Sequence, residues 1–364
     1  MKHWKQWGCA LVLALNTILF TSTISHAYEC GLSCCVAAGV DGVGSREGWN
    51  ITAQYESMQM KTLKQGTSTT NAAAIIQKNL AAKGMGAMYK VPTSMSMQKI
   101  SSNLAYRMDE RNAFVLTIPY IINDMDMDMG MNMMGGITTS KMKMDTISGL
   151  GDVSLMYLRD IWKDRDIRTR QRVSLGLGIK APTGKHTYRD QKGELIHAMM
   201  QAGTGSWDGI AIANGSFGFS EHDDGGALWF INPSLIYQFN GRNNLGYRYG
   251  NRLNVDVSTR YRVTSKLNVK LDLNGVWTQS DSSNGTIDGA SPTGRLAYQA
   301  PMMSMLDNVN NTGIKSLMLS PGITWVATPD ITFSAEYRIP LSQDAKGTQI
   351  VTDQWFFIRA RASF

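Results

Sequence analysis

The stretch Leu267-Asn268-Val269-Lys270-Leu271-Asp272-Leu273-Asn274-Gly275 decides the fold, because its apolar and polar residues alternate strictly. In a β-strand, successive side chains point to opposite faces. This segment therefore presents Leu and Val on one side and charged or amide side chains on the other. Three further segments alternate in the same way, at residues 173–180, 253–263 and 331–339. The pattern is typical of strands that lie between lipid and a wet lumen.

The length of the alternating segments separates a membrane barrel from a soluble sandwich. Strands of soluble sheets are usually about 5–6 residues long, whereas about 9–11 residues are needed for a tilted strand to cross a bilayer. Segment 253–263 has this length. Since backbone groups in lipid must be paired within the protein, spanning strands must close into a barrel. We therefore predict an all-β fold, a transmembrane up-and-down antiparallel β-barrel.

The pattern predicts about twelve strands, and an even number suits a single-chain bacterial barrel. The predicted strands are 48–60, 98–108, 112–122, 147–161, 169–182, 205–219, 227–240, 250–263, 265–279, 313–328, 330–340 and 352–364. Short connections alternate with long ones, and the long ones are 61–97, 123–146, 183–204, 241–249, 280–312 and 341–351. Outer-membrane barrels have short periplasmic turns and longer extracellular loops. We therefore expect the long connections at the extracellular end, called the outer end below.

Tryptophans near the strand ends fit the aromatic girdles of such barrels. We expect Trp49, Trp162 and Trp355 at the periplasmic rim. Trp207 and Trp277 are expected at the outer rim.

Both ends of the chain carry features of export. Residues 1–27 combine early lysines, an apolar stretch and small residues before Ala27, which is the pattern of a secretory signal peptide. We expect cleavage after Ala27, which leaves a short periplasmic segment at 28–47 and the barrel at 48–364. The last strand ends on Phe364, and this ending resembles the signal read by the barrel assembly machinery. The expected location is the outer membrane of a Gram-negative cell, with its lipid as a partner.

Three blocks of sequence resemble a known family. They are Gly149-Leu150-Gly151-Asp152-Val153-Ser154-Leu155, the stretch VSLGLGIKAPTG at 173–184, and GTGSWD at 203–208. They resemble the outer-membrane transporter family named after the MetA pathway of phenol degradation, and the similarity extends over roughly 100–364. The resemblance implies a porin-like barrel that passes a small solute, often encoded near genes for aromatic degradation or metal handling.

The polar faces of the strands supply candidate pore-lining residues, which would set selectivity. They are Lys180, Asp208, Arg260, Lys270, Asp272, Glu336 and Arg338. Twelve strands leave a lumen that side chains can largely fill, so a narrow channel is expected. Asp152 and Asp208 are expected beside Lys180, and structural ion pairing is favoured over solute contact there.

Methionine is abundant, at 23 of 364 residues, and is concentrated in the long connections. In an extended chain one side of the run 124–136 carries Met125, Met127, Met129, Met131 and Met133, and Met134 follows. Thioethers are soft ligands that favour Cu(I), and the alternating carboxylates would add charge attraction. Two interpretations stay open: these methionines bind a copper ion, or they are flexible apolar filler that packs over the barrel mouth.

Other chemistry finds little support in the sequence. His186 and His197 share one long connection, and His222 lies in a short one at the opposite end, so a catalytic triad is not expected. We predict that the protein is not an enzyme and has no cofactor apart from the copper considered above. The pairing of Cys30, Cys34 and Cys35 stays open.

A net charge of +7 without a basic run does not indicate a nucleic-acid partner. The favoured function is a channel for a small aromatic, hydrophobic or metal-related solute. The alternatives are a copper-binding outer-membrane protein and a non-transporting barrel that serves as a surface enzyme or scaffold.

Overall fold

The computed structural model describes residues 47–81, 83–164, 171–191, 193, 195–221, 227–284 and 304–364. The predicted signal peptide, the three cysteines that follow it, His222, Met302 and Met303 lie outside the described residues. Within these ranges, the helices are too short to cross a membrane.

The described residues form strands almost throughout. The strands are β1 (Gly48–Gly66), β2 (Ser68–Thr70), β3 (Met88–Arg107), β4 (Asn112–Met133), β5 (Gly136–Lys143), β6 (Ile147–Leu150), β7 (Ser154–Lys163), β8 (Gln171–Lys180), β9 (Asp208–Glu221), β10 (Ala227–Phe239), β11 (Tyr247–Arg248), β12 (Arg252–Arg262), β13 (Leu267–Thr278), β14 (Ser282–Ser283), β15 (Ile314–Val326) and β16 (Ile331–Ser363). One α-helix, α1 (Ala72–Leu80), and three short 3₁₀ helices (Ala198–Met200, Met305–Asp307 and Val309–Asn311) lie between them.

The long strands pair antiparallel with their neighbours in the chain, and the sheet closes on itself. Each of β3, β4, β7, β8, β9, β10, β12, β13 and β15 lies between the preceding and following long strands. β16 pairs with β15 on one side and with β1 on the other, from Asn50 opposite Ser363 onward. The predicted closed, up-and-down antiparallel barrel is therefore confirmed.

The strand β16 supplies two adjacent segments of the wall. Its 33 residues would extend for about 110 Å as one strand, far more than a bilayer core of about 30 Å. Residues 332–345 pair with β15, and residues 345–363 pair with β1. The reversal lies at Gly347, whose φ of +67° suits glycine. Counted in this way, the described residues cross the wall twelve times, as predicted.

One wall segment is built from three successive strands. β5, β6 and β7 all pair with β4, at its outer end, its middle and its periplasmic end respectively. The ladder is interrupted between β6 and β7, where Gly151 donates its amide to Pro119 O at 2.9 Å. Because proline lacks an amide proton, it interrupts the ladder at this point.

Along the strands, apolar side chains are exposed and polar side chains are buried, which is the inverse of the pattern in a soluble protein. On β13 the exposed fractions are 48% for Leu271 and 42% for Leu273, but 0% for Asp272 and 1% for Asn274. The same alternation occurs on β8, where Leu177 is 69% exposed and Ser174 is buried. An apolar outer face and a polar inner face suit a barrel surrounded by lipid.

Several predicted loops are in fact strands. β1, β3 and β4 continue into the connections 61–97 and 123–146, and the predicted loop 341–351 is the hairpin within β16. Helix α1 packs beside these extensions and is capped by Asn71, whose side chain accepts from Ala74 N at 2.8 Å. Gly130 leaves room for the helix, because a Cβ there would collide with Ile76.

One predicted girdle residue lies in a different place. Trp355 was expected at the periplasmic rim, but it lies opposite Met58 and packs against the buried Phe357, with ring centroids 5.0 Å apart. The prediction was wrong because the last wall segment continues back to the reversal at Gly347, so Trp355 lies within this segment and not at its periplasmic end.

Candidate functional site in the barrel interior

A buried group of charges lies on the inner face of the strands β13 and β16. We call it the charged cluster: Lys270, Asp272, Glu336, Arg338 and Arg359. Glu336 contacts three cations: Lys270 Nζ at 2.9 Å, Arg338 Nε at 2.9 Å and Arg359 Nη1 at 3.1 Å. Lys270 also lies 2.8 Å from Asp272. A buried carboxylate needs such partners because burial in isolation costs several kcal/mol.

The cluster contains four of the seven residues predicted to line the pore, namely Lys270, Asp272, Glu336 and Arg338. Arg359, the fifth residue of the charged cluster, was not among the predicted pore-lining residues. Its inward direction follows from the alternation of the last strand, but its pairing with Glu336 depends on the hairpin reversal at Gly347. That reversal falls in a stretch predicted to be a loop.

Aromatic rings border the charged cluster toward the outer end. The Arg338 guanidinium lies 4.5 Å from the centroid of Phe357 and 5.0 Å from that of Trp355. Arg359 lies 5.0 Å from the same Phe357 ring. Cation–π contacts of this kind gain strength when water is excluded.

A chain of hydrogen bonds extends the cluster around the wall to β1 and β3. Arg359 Nε donates to Gln54 Oε1 at 2.7 Å, and Gln54 Nε2 donates to Glu56 Oε1 at 2.6 Å. Lys99 Nζ lies 2.5 Å from the same Glu56 oxygen. The interior is therefore crossed by a connected polar layer.

The remaining predicted pore-lining residues lie elsewhere in the interior. Lys180 lies 2.5 Å from Asp152 and 2.7 Å from Asp208. Asp152 also accepts the Gly184 and Thr204 amides, at 3.0 Å and 2.8 Å. This group anchors the connection between β8 and β9 to the wall, as its expected ion pairing suggested.

Arg260 is buried and covers Phe230, with its guanidinium carbon 4.3 Å from the ring centroid. It lies directly opposite Lys270 in the ladder of β12 and β13.

A second ion cluster, near the periplasmic end, was not singled out from the sequence. Asp160 lies 3.1 Å from Arg107 and 3.9 Å from Arg172, and it accepts from Ser174 Oγ at 2.5 Å. All four residues are buried. Their inward positions follow the strand alternation, which was the available signal.

Methionines form a transverse row at the outer end of the interior. Met60 on β1 lies opposite Met95 on β3, and Met95 lies opposite Met125 on β4. The row continues with Met144, whose amide donates to Met125 O at 2.9 Å. We call these four residues the methionine ladder. Met60, Met95 and Met125 are 7%, 1% and 1% exposed.

The ladder belongs to a larger apolar cluster at the outer end, called the outer apolar cluster. Met58 faces Met97 beside the ladder on one side, and Met127 faces Met142 on the other. The remaining members include Ile76, Leu80, Ile147, Ile196, Met199, Met200 and Met305. Because Met58 also lies opposite Trp355, the outer apolar cluster is continuous with the aromatic rings of the charged cluster.

The exposure of the side chains increases along the predicted methionine run. Met125 and Met127 are buried, Met129 and Met131 are half-buried, and Met133 and Met134 are 48% and 94% exposed. The run is a strand, not a loop, and its odd-numbered methionines share a face as expected.

The carboxylates of the run lie on the face opposite the thioethers, where they pair with other side chains. Asp126 lies opposite Lys143 and accepts from Ser94 Oγ at 2.8 Å, while Asp128 lies opposite Lys141. Strand alternation places Met and Asp on opposite faces. The Asp side chains therefore belong to a separate polar surface.

The polar connections at the outer end contain a further buried carboxyl. Burial raises the pKa of Asp281, which accepts hydrogen bonds from the Gly250 amide, at 2.8 Å, and from the Tyr247 hydroxyl. His186 Nε2 lies 2.7 Å from Asn244 Oδ1 in the same region. Within the described ranges, no group of three or more His, Cys, Asp or Glu side chains could hold a metal ion.

Comparison with known proteins places the chain in a family. The family described as "MetA-pathway of phenol degradation" matches residues 100–300, more than half of the chain. The chain belongs to this family. The MetA-pathway match covers β4 to β13 and the blocks at 149–155, 173–184 and 203–208 that indicated the resemblance.

One solved structure supports the fold of this MetA-pathway family member, and two others are more distantly similar. A crystal structure of an outer membrane channel from Pseudomonas putida F1 aligns with a TM-score of 0.52 at 11% identity, over 88% of this chain and 96% of that chain. The CymD monoaromatic hydrocarbon channel aligns with a TM-score of 0.39 at 10% identity, over 88% and 89%. A FadL homologue from Pseudomonas aeruginosa gives 0.38 at 10%, over 87% and 90%. We found no similar sequence among proteins with curated functions. The MetA-pathway protein is thus an outer-membrane β-barrel.

Proposed function

We propose that this barrel is a channel that passes small, uncharged aromatic solutes across the outer membrane. The observation that carries the proposal is the continuity inside the barrel of the outer apolar cluster and the aromatic rings beside the charged cluster, which we infer to be the entrance and the constriction of the solute path. Trp355 joins the two, since it lies opposite Met58 and packs against Phe357. The description of the family, which refers to phenol degradation, supports the same class of solute.

The outer apolar cluster suits the entry of an apolar ring. Methionine side chains are flexible and polarizable, and they make favourable contacts with aromatic rings. Met58, Met97 and Met199 are half-buried at the edge of the cluster, so they can rearrange around a solute more readily than fully packed residues. A solute that leaves water here gains about 25 cal/mol for each Å² of apolar surface buried.

The constriction suits a ring that carries a hydroxyl group. Arg338 lies over Phe357 and Trp355, so an aromatic solute that reaches this point meets both aromatic rings and a cation. Arg338 Nη2 is buried and has no hydrogen-bond partner within the described part of the chain. A phenolic oxygen would satisfy this donor, whereas an inorganic ion would have to exchange its hydration shell for an already paired cluster.

The test is uptake into cells that lack general porins, because the lipopolysaccharide leaflet is the barrier that small aromatics meet. Cells that produce this protein should accumulate labelled phenol faster than cells with an empty vector. The Arg338→Met variant should lose most of the gain for phenol and keep it for toluene, which has no hydroxyl. Arg111→Met, in an exposed turn, is the matched control. Equal uptake with and without the protein would reduce it to a scaffold and contradict the proposal.

A further inference from the structure

We propose that the methionine ladder, within the outer apolar cluster, binds Cu(I). The observation behind this inference is the shared register of Met60, Met95 and Met125 on three neighbouring strands, with Met144 hydrogen-bonded beside Met125 just after the end of β5. The inference goes beyond the proposed channel function and does not depend on it.

The register brings the four side chains within reach of one ion. Residues directly opposite in an antiparallel pair have Cα atoms about 4.5–5.5 Å apart and side chains on the same face. Each thioether sulfur lies three bonds beyond Cα on a flexible chain. The sulfurs of Met60, Met95 and Met125 can therefore converge from three adjacent strands, with Met144 beside them.

The surroundings select a soft, singly charged ion. Thioethers are soft, uncharged ligands that favour Cu(I), whereas Ca²⁺ and Mg²⁺ require oxygen ligands. The nearest carboxylates of the run, Asp124 and Asp126, are occupied by Thr146 at 2.5 Å and Ser94 at 2.8 Å on the opposite face. A divalent ion would lack charge compensation among thioethers alone, and this favours the monovalent one.

Apolar packing alone explains this arrangement of methionines less well than metal binding does. A core of this size can be filled by Leu or Ile, which give better-defined packing than Met. Instead, all four positions of the ladder are methionine. The two flanking rows are also methionine pairs, with Met58 opposite Met97 and Met127 opposite Met142. Exposed methionines, Met133 and Met134, lie at the solvent end of the same strand.

The experiment is a Cu(I) titration of the full chain, refolded in detergent, against a chromophoric Cu(I) chelator under anaerobic conditions. Cysteines are first reduced and alkylated, so that Cys30, Cys34 and Cys35 do not contribute. The test variant is Met95→Leu/Met125→Leu, which keeps apolar volume and is a well-tolerated exchange. The matched control is Met133→Leu/Met134→Leu, which removes the same number of thioethers from an exposed site.

We expect one tight Cu(I) site in the wild-type protein, with affinity lowered about ten- to hundred-fold in the ladder variant and unchanged in the control. Affinity should be nearly the same at about pH 5 and about pH 7, because thioethers need not lose a proton to bind. X-ray absorption spectroscopy of the copper-loaded protein should show only sulfur atoms in the first coordination shell of copper. The assignment would be overturned if the ladder variant bound Cu(I) as tightly as the wild type, or if only the control variant lost affinity. Oxygen or nitrogen atoms in the coordination shell of copper would also overturn it.

Two measurements keep the result interpretable. If the double variant does not refold, the single variant Met125→Leu should also bind Cu(I) more weakly than the wild type, with a smaller loss of affinity. Far-UV circular dichroism of the ladder variant should match that of the wild type, because leucine keeps the apolar volume, and phenol uptake is measured on the wild type alone. Failure of copper binding with normal uptake therefore contradicts only this inference, and loss of uptake in the wild type contradicts only the channel.

Discussion

Lys270 on β13 reaches across Gly322 of the intervening strand β15 to Glu336 on β16, with Nζ 2.9 Å from Oε2. Gly322 lies opposite both residues in the ladder, and only its missing side chain leaves a passage. A Cβ at Gly322 would lie 2.9 Å from Lys270 Cγ, closer than side-chain carbons pack. The charged cluster thus depends on a glycine that carries no charge.

Replacing Gly322 by valine should therefore displace Lys270 from Glu336. We expect a destabilisation of about 1–3 kcal/mol from overpacking, together with a wider constriction. Urea unfolding in detergent and single-channel conductance in planar bilayers measure the two effects. Gly275→Val is the matched control, because a Cβ there meets its neighbours at an ordinary 3.4 Å. Similar effects of the two substitutions would show that Gly322 has no special role.

Neutralising Glu336 should have the largest effect of any single charge change in the interior. Glu336→Gln leaves Lys270, Arg338 and Arg359 without their common partner, and breaking a buried ion pair costs about 3–5 kcal/mol. The more positive interior should also shift the reversal potential of the channel toward anion selectivity. Glu110→Gln removes an exposed pair with Lys163 and should change stability by less than about 1 kcal/mol. An unchanged reversal potential in Glu336→Gln would place the cluster away from the ion path.

The turn between β3 and β4 should respond to acid through Asp109. Its carboxylate accepts the Arg111 and Asn112 amides, both at 2.8 Å, and the Asn112 side chain. The hydrogen bond from the Asn112 side chain is the main cause that lowers the pKa of Asp109 below its ordinary 3.8. A lowered folded-state pKa means that its stabilisation is present above the ordinary value and is lost as the pH falls through the folded value.

The Asp109→Asn variant should consequently remove part of the acid sensitivity. Unfolding midpoints recorded between neutral pH and strong acid should fall less steeply for the variant than for the wild type. Parallel curves would mean that other carboxylates account for the whole acid response.

Asp281 should give the opposite pH dependence at the outer end. Burial raises its pKa, so the protonated form is favoured in the folded state, and its contribution is present at low pH and declines as the pH rises through the folded value. Limited proteolysis of the connection 241–249 should be slower in mild acid than at neutral pH, because Asp281 accepts from the neighbouring Gly250 amide. In Asp281→Asn this difference should disappear, and a persistent difference would point to another group.

The sequence predicted the barrel because its decisive signal is local. Alternation along β13 fixes which residues face inward, so the inward direction of Lys270, Asp272, Glu336 and Arg338 could be predicted without any knowledge of pairing. The number of wall segments followed from the same signal. The resemblance of three short blocks predicted the family.

The remaining features depend on register, which alternation does not reveal. The strand extensions at the outer end contain a shift between Pro92 and Ser94 in β3 and others near Met60 in β1, and these shifts decide which methionines meet. The position of Trp355 required knowing that residues 341–351 reverse the chain in a tight hairpin.

If the barrel is an aromatic channel, an aromatic solute occupies its interior between the methionine ladder and the charged cluster. A crystal of the protein soaked with para-bromophenol would reveal this solute through the anomalous signal of bromine. We expect a bromine peak inside the barrel, with the phenolic oxygen within hydrogen-bond distance of Arg338 Nη2. Bromine peaks confined to the lipid-facing surface, with an empty interior at saturating solute, would contradict it.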